Sequence, residues 1–83
     1  MRLTTKQVEE VRAPSAKYPA AVYADELARI VKSRKAEGRV DEKFPGVKPA
    51  HVAHMLKTAA REQQTDVEIV VHGSYGVCVL PAA

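Results

Sequence analysis

The sequence has little of what several protein classes depend on. It holds one cysteine, Cys78, so no disulfide can form within the chain, and we expect a reducing, cytoplasmic setting. Its four glycines stand singly, which excludes a Gly-rich phosphate-binding loop. No apolar run approaches the roughly 18 residues that a membrane-spanning helix needs. The first residues lack the apolar stretch of a signal peptide. We therefore expect neither a membrane partner nor secretion.

Patterns for catalysis and metal binding are also missing. No serine lies in a nucleophile elbow, and adjacent carboxylates do not converge on a shared site. His51 and His54 stand one helical turn apart and offer a metal pair, with His72 or Cys78 as a third ligand, but no spacing matches a zinc pattern. We expect no enzyme activity, no cofactor and no bound metal.

What is present describes one small globular domain covering residues 1–83, with 46% hydrophobic and 28% charged residues and a net charge of +3. The charge is unevenly distributed. Residues 29–39 carry many cations and one acid, Glu37, whereas residues 62–83 contain no Lys or Arg. This polarity suits an anionic partner on one side. The alternative is a solvated helix end whose cations complement the helix dipole.

Start and stop signals predict an α+β fold with three helices followed by a C-terminal β-hairpin. Thr4 and Gln7 form a capping box, Pro19 and Gly38 bound the second helix, and Pro49 opens the third. The predicted helices cover about residues 5–13, 19–37 and 49–63. Three apolar residues of the connection between the last two helices are expected to enter the core: Val40, Phe44 and Val47.

Alternating apolar residues around Gly73-Ser74 predict hairpin strands over 67–72 and 75–80, joined by a two-residue turn. This register pairs Ile69 with Cys78 and turns Cys78 toward the core. The opposite face then carries an exposed apolar cluster made of Val70, Tyr75, Val77 and Val79. Such a patch is typical of a protein interface, and an edge strand there can pair with a second copy to form a homodimer.

The third predicted helix carries a polar stripe. The stripe follows steps of three and four residues and consists of His51, His54, Thr58 and Arg61, with Lys57 at its margin. The opposite face is apolar and consists of Val52, Met55, Leu56 and Ala59. A helix packed on one side with donors on the other can lie in the major groove of DNA. The alternative is a solvent-facing stripe that contacts nothing.

Two segments resemble the winged helix-turn-helix superfamily. VKPAHVAHMLK at 47–57 is similar to its turn and recognition helix, ADELARIV at 24–31 to the preceding helix, and the hairpin at 67–80 to its wing. The link from Gly38 to Lys48 is longer than the tight turn of the motif, so either it contains a short strand or the helices are arranged differently.

The resemblance implies a non-enzymatic regulator of transcription that binds duplex DNA. The basic segment 29–39 would hold the DNA backbone, the third helix would enter the major groove, and the hairpin tip would reach a phosphate or the minor groove. The expected DNA-contacting residues are Arg34, Lys35, Arg39, Lys48, His51, His54, Lys57, Thr58, Arg61 and Ser74.

An alternative function is a protein-binding module of the phage type, which inhibits or adapts a larger host protein. Its interface would be the hairpin face formed by Val70, Tyr75, Val77 and Val79. Salt separates the two functions, because each phosphate contact releases counterions and a hydrophobic interface does not.

Overall fold

The computed structural model describes residues 18–82, which form an α+β fold. The elements in chain order are helix α1 (Ala20–Ser33), a 3₁₀ helix (Val40–Lys43), helix α2 (Pro49–Glu62) and strands β1 (Val67–His72) and β2 (Gly76–Pro81). Residues 18–82 thus contain two α-helices rather than three, and the helix predicted over 5–13 lies outside them. No helix in this part of the chain is long and apolar enough to cross a membrane.

Helix α1 ends four residues before the predicted boundary. Its apolar stripe is confirmed, since Tyr23, Leu27 and Ile30 are completely buried. The helix stops at Ser33 because Arg34 adopts the left-handed conformation, with φ of 60°. The Arg34 N–H donates to the carbonyls of Ile30 and Val31 in the last turn. The prediction that Gly38 ends the helix was wrong, because the chain must leave early to bring Glu37 beside β2.

Helix α2 begins at Pro49, as predicted, and ends at Glu62, one residue before the predicted end. Proline suits the first helical turn because its missing N–H would have no helical partner there. The buried face consists of Val52, Ala53, Leu56, Ala59 and Ala60. This face packs against α1 and both strands, while the expected core residue Met55 is only half-buried.

The hairpin register differs from the prediction by one residue. Ile69 faces Val79 and Val71 faces Val77, so a three-residue loop, 73–75, joins the strands instead of a two-residue turn. A slip of one residue moves every side chain to the other face. Val77 and Val79 therefore lie in the core with 0% exposure, and the half-exposed Cys78 belongs to the outer face, contrary to expectation.

The connection between the helices fills the centre of the core, as predicted. Val40, Phe44 and Val47 are buried. The ring of Phe44 stacks on Tyr23 with centroids 4.3 Å apart and an interplanar angle of 15°. Stacked aromatic rings add to the stabilisation from buried area alone, so this contact fixes the 3₁₀ segment against α1.

The same connection covers the outer edge of β2. Glu37 and Val79 exchange two backbone hydrogen bonds, of 3.0 and 2.8 Å. The Arg39 N–H donates to the Tyr75 carbonyl at 2.7 Å, and the Val77 N–H donates to Asp41 Oδ1 at 2.9 Å. The link from Gly38 to Lys48 contains a 3₁₀ helix and no strand, and the isolated bridge to β2 is made by Glu37, directly before the link.

Candidate nucleic-acid interface

The predicted polar stripe of α2 exists on the face opposite the core. His54, Lys57 and Arg61 are exposed, and His51 and Thr58 are half-buried. The Thr58 hydroxyl donates to the His54 carbonyl at 3.0 Å, so part of its hydrogen-bonding capacity is used within the helix. The groups most available to a ligand are therefore one imidazole, one ammonium and one guanidinium along a single helical face.

His51 lies where the stripe meets the aromatic core. Its ring stands edge-on to Tyr23, with centroids 6.4 Å apart and an interplanar angle of 83°. The rings of His51 and His54 are 6.5 Å apart. Within residues 18–82, no group of three or more His, Cys, Asp or Glu side chains is placed to hold a metal ion.

A second set of cations borders the helices. Arg34 and Lys35 are exposed where the chain leaves α1, and Lys48 is exposed directly before α2. None of these three side chains forms an ion pair with any residue between 18 and 82. Their charge is therefore not offset by the acidic groups of the described fold.

Two other cations, Arg29 and Lys43, form ion pairs with two carboxylates in a network of four charged side chains. Arg29 and Lys43 each pair with both Glu26 and Glu37, and Lys43 Nζ lies 2.6 Å from Glu26 Oε1. The hydrogen bond from Arg29 holds the pKa of Glu26 below its ordinary value, against the opposing effect of burial, and Lys43 acts in the same direction. The hydrogen bond to Glu26 raises the pKa of Lys43. Arg29, although it begins the basic segment, therefore has a structural role.

The fold brings two distant predicted contact residues into one cleft. Arg39 and Ser74 line a cleft of about 390 Å³ beside Pro49, the first residue of α2. Asp41 and Glu42 line the same cleft, so its charge is mixed. The other predicted DNA-contacting residues lie outside the cleft.

His72 organises the hairpin tip, a role that sequence reasoning missed. Its Nδ1 accepts the backbone N–H groups of Ser74 at 3.1 Å and Tyr75 at 3.3 Å. An accepting Nδ1 places the proton of the neutral ring on Nε2. The signal in the sequence is a side chain with an acceptor directly before a Gly-Ser turn, where such groups often cap free backbone N–H groups.

The predicted protein-binding cluster on the hairpin is not formed as expected. Val70 and Tyr75 are exposed, by 37% and 57%, but Val77 and Val79 have no exposed area and cannot belong to a free surface. The one-residue difference in register causes this change. The exposed apolar side chains that the prediction missed on the hairpin are Val71 and Leu80.

No protein-family model, curated protein or solved structure matches this chain.

Proposed function

We propose that the chain is a small, non-enzymatic, DNA-binding regulator of transcription that works in the cytoplasm and places α2 in the major groove. The observation that carries this proposal is the division of α2 into a buried apolar face and an exposed face with His54, Lys57 and Arg61. Arginine and lysine donate to guanine edges and phosphates, and imidazole donates to or accepts from base edges. A helix anchored along one side presents such groups at fixed positions.

The unpaired cations around α2 suit contacts with the DNA backbone. Arg34, Lys35 and Lys48 are exposed and lie outside the ion-pair network. Lysine and arginine at such positions neutralise phosphates and release counterions, which supplies most of the affinity of non-specific binding. Arg39 and Ser74 add a guanidinium and a hydroxyl at the cleft beside the start of α2.

The order of the elements supports the winged arrangement. A helix, a bridge to the sheet, a second helix and a hairpin follow one another along the chain. The link from Gly38 to Lys48, which is longer than the turn of a tight helix-turn-helix, contains the 3₁₀ helix. Because the loop 73–75 contains no Lys or Arg, the proposal gives the wing a smaller part than α2.

The test is binding of random duplex DNA across a series of salt concentrations. We expect the double variant Lys57→Ala/Arg61→Ala to bind more weakly than wild type, because it removes two exposed cations from α2. The slope of log affinity against log salt should decrease in magnitude by about 0.9 for each phosphate that the variant no longer neutralises. Fluorescence anisotropy of labelled DNA measures both quantities.

Lys32→Ala is the matched control for Lys57→Ala. Lys32 is also an exposed lysine without an ion pair in residues 18–82, but it lies on α1 and is not among the proposed contact residues. We expect Lys57→Ala to weaken binding more than Lys32→Ala, although both remove one positive charge. Equal effects of the two single variants, or an unchanged affinity in the double variant, would remove α2 from the interface.

A protein-binding module is the second candidate, favoured by the distribution of exposed apolar side chains. Of the large exposed hydrophobic residues in 18–82, only Val22 lies outside the hairpin. The others are Val70, Val71, Tyr75 and Leu80. Binding to a host protein through the outer-face residues Val70 and Leu80 would depend weakly on salt and would not change in the Lys57→Ala/Arg61→Ala variant.

A further inference from the structure

The two edges of the hairpin differ in how their backbone groups are satisfied. In an antiparallel pair, successive residues direct their N–H and C=O groups alternately toward and away from the partner strand. Both backbone groups of Val79 bond to Glu37, so the N–H and C=O of Val79 point away from β1. The Ala82 N–H donates to the Asp66 carbonyl at 3.1 Å. The backbone N–H and C=O groups of the even-numbered residues therefore point toward the other strand of the hairpin.

This alternation leaves one edge of the sheet open. On β2, the Val77 N–H donates to Asp41, and both outward groups of Val79 bond to Glu37. On β1, the outward groups belong to Val67, Ile69 and Val71, and they make no backbone hydrogen bond to any other segment of residues 18–82. An open edge with apolar residues is a ready template for pairing with another strand.

We propose that this edge of β1 pairs antiparallel with β1 of a second copy of the chain, with the two-fold axis at Val70. In this register Ile69 of each copy faces Val71 of the other, and these residues exchange hydrogen bonds through their outward groups. The two Val70 side chains then meet at the closely spaced position of the ladder, where Cα atoms lie about 4.5 Å apart. Pairing buries two exposed valines, Val70 and Val71.

The polar side chains on the outer face favour this occupant over an unrelated strand. Glu68 and His72 lie two residues before and two residues after Val70, so each Glu68 stands opposite His72 of the second copy. His72 Nδ1 is used by the loop, which leaves Nε2–H, without a partner in residues 18–82, to donate to that carboxylate. Cross-strand pairs of this kind stabilise a sheet. The strand is thus complementary to itself in one register.

The test is the dimer dissociation constant, measured by sedimentation equilibrium on the full chain. Wild type is expected to be a concentration-dependent dimer. Val70→Lys places two ammonium groups against each other at the two-fold axis, and it should raise the dissociation constant by at least about tenfold. Leu80→Gln is the control, because Leu80 is 38% exposed on the same outer face but on β2, and an uncharged side chain there leaves its cross-strand partner Glu68 free to contact His72 of the second copy. It should leave the constant unchanged.

Amide hydrogen exchange provides a second measurement. The amides of Ile69 and Val71 should exchange slowly above the dissociation constant and rapidly below it. Those of Val70 and His72, which face β2, should stay protected at both concentrations. A wild-type monomer at every concentration would overturn the proposal. Equal weakening by Val70→Lys and Leu80→Gln would also overturn it, since that result indicates packing through the outer face rather than pairing along the edge.

Discussion

At the scale of single residues, Gly76 has little freedom to change. It has a φ of 61°, a region that side chains disfavour, and a Cβ there would overlap the Asp41 carboxylate. That carboxylate in turn accepts the Val77 N–H. Glycine is therefore required both by the turn and by the segment that covers the edge of β2.

Gly76→Ala is expected to lower the free energy of unfolding by at least about 1–2 kcal/mol, the cost of a left-handed conformation for a residue with a Cβ. Gly73→Ala is the control, because no atom lies within 4 Å of a Cβ at that position. Its effect should stay within about 0.5 kcal/mol. Urea denaturation measures both variants, and equal effects would show that Asp41 does not constrain Gly76.

The buried hydroxyl of Tyr23 is a second residue-scale feature, and it lowers the stability of the fold. It is buried and has no hydrogen-bond partner among residues 18–82, and burial raises its pKa. An unsatisfied buried hydroxyl is destabilising by about 1–3 kcal/mol. Tyr23→Phe keeps the ring stacked on Phe44, so we expect the free energy of unfolding to rise by about 1 kcal/mol. A decrease in thermal stability would show that the hydroxyl has a partner.

At the scale of elements, the Glu26 carboxylate connects α1 to the 3₁₀ helix through Lys43. The pKa of Glu26 is lower in the folded chain than its ordinary value of 4.5. The charged form therefore favours folding above that pH, and this contribution disappears as the pH falls through the folded-state pKa. The Glu26→Gln variant has no ionisable group at this position, so it lacks this pH-dependent contribution to stability.

We expect wild type to be more stable than Glu26→Gln at neutral pH, with the difference shrinking as the pH falls below about 4.5. Thermal melting at several pH values measures this difference. Asp25→Gln is the control on the same helix, because Asp25 is exposed and takes no part in the network. A parallel pH dependence in wild type and Glu26→Gln would contradict the role of the network.

Local signals predicted the elements whose boundaries depend on nearby residues. Pro49 and the apolar spacing after it placed α2 within one residue. The end of α1 was predicted too late because the bridge to Val79 is a tertiary contact that no local pattern contains. The predicted hairpin register is wrong because the Gly73-Ser74 pair indicates a positive φ at Gly73, whereas Gly76 has that conformation.

At the scale of the whole molecule, the candidate site was only partly predictable. The stripe on α2 follows from helical periodicity, so its position was predicted from the sequence alone. The pairing of Arg29 with Glu37 and the meeting of Arg39 with Ser74 in one cleft depend on how distant segments pack. The open edge of β1 depends on which strand the connection covers, and this also lies beyond local pattern.

The edge-covering connection also has a consequence for the order of folding during synthesis. Asp41 and Val77 are 36 residues apart in sequence, and Glu37 and Val79 are more distant still. Such contacts form late, because a long loop must close before they become favourable. While a ribosome is still translating α2, Val77 and Val79, which complete the core around Tyr23 and Leu27, have not yet been synthesised. The nascent chain therefore passes through a stage with exposed apolar surface, which ends only after Val79 has left the exit tunnel.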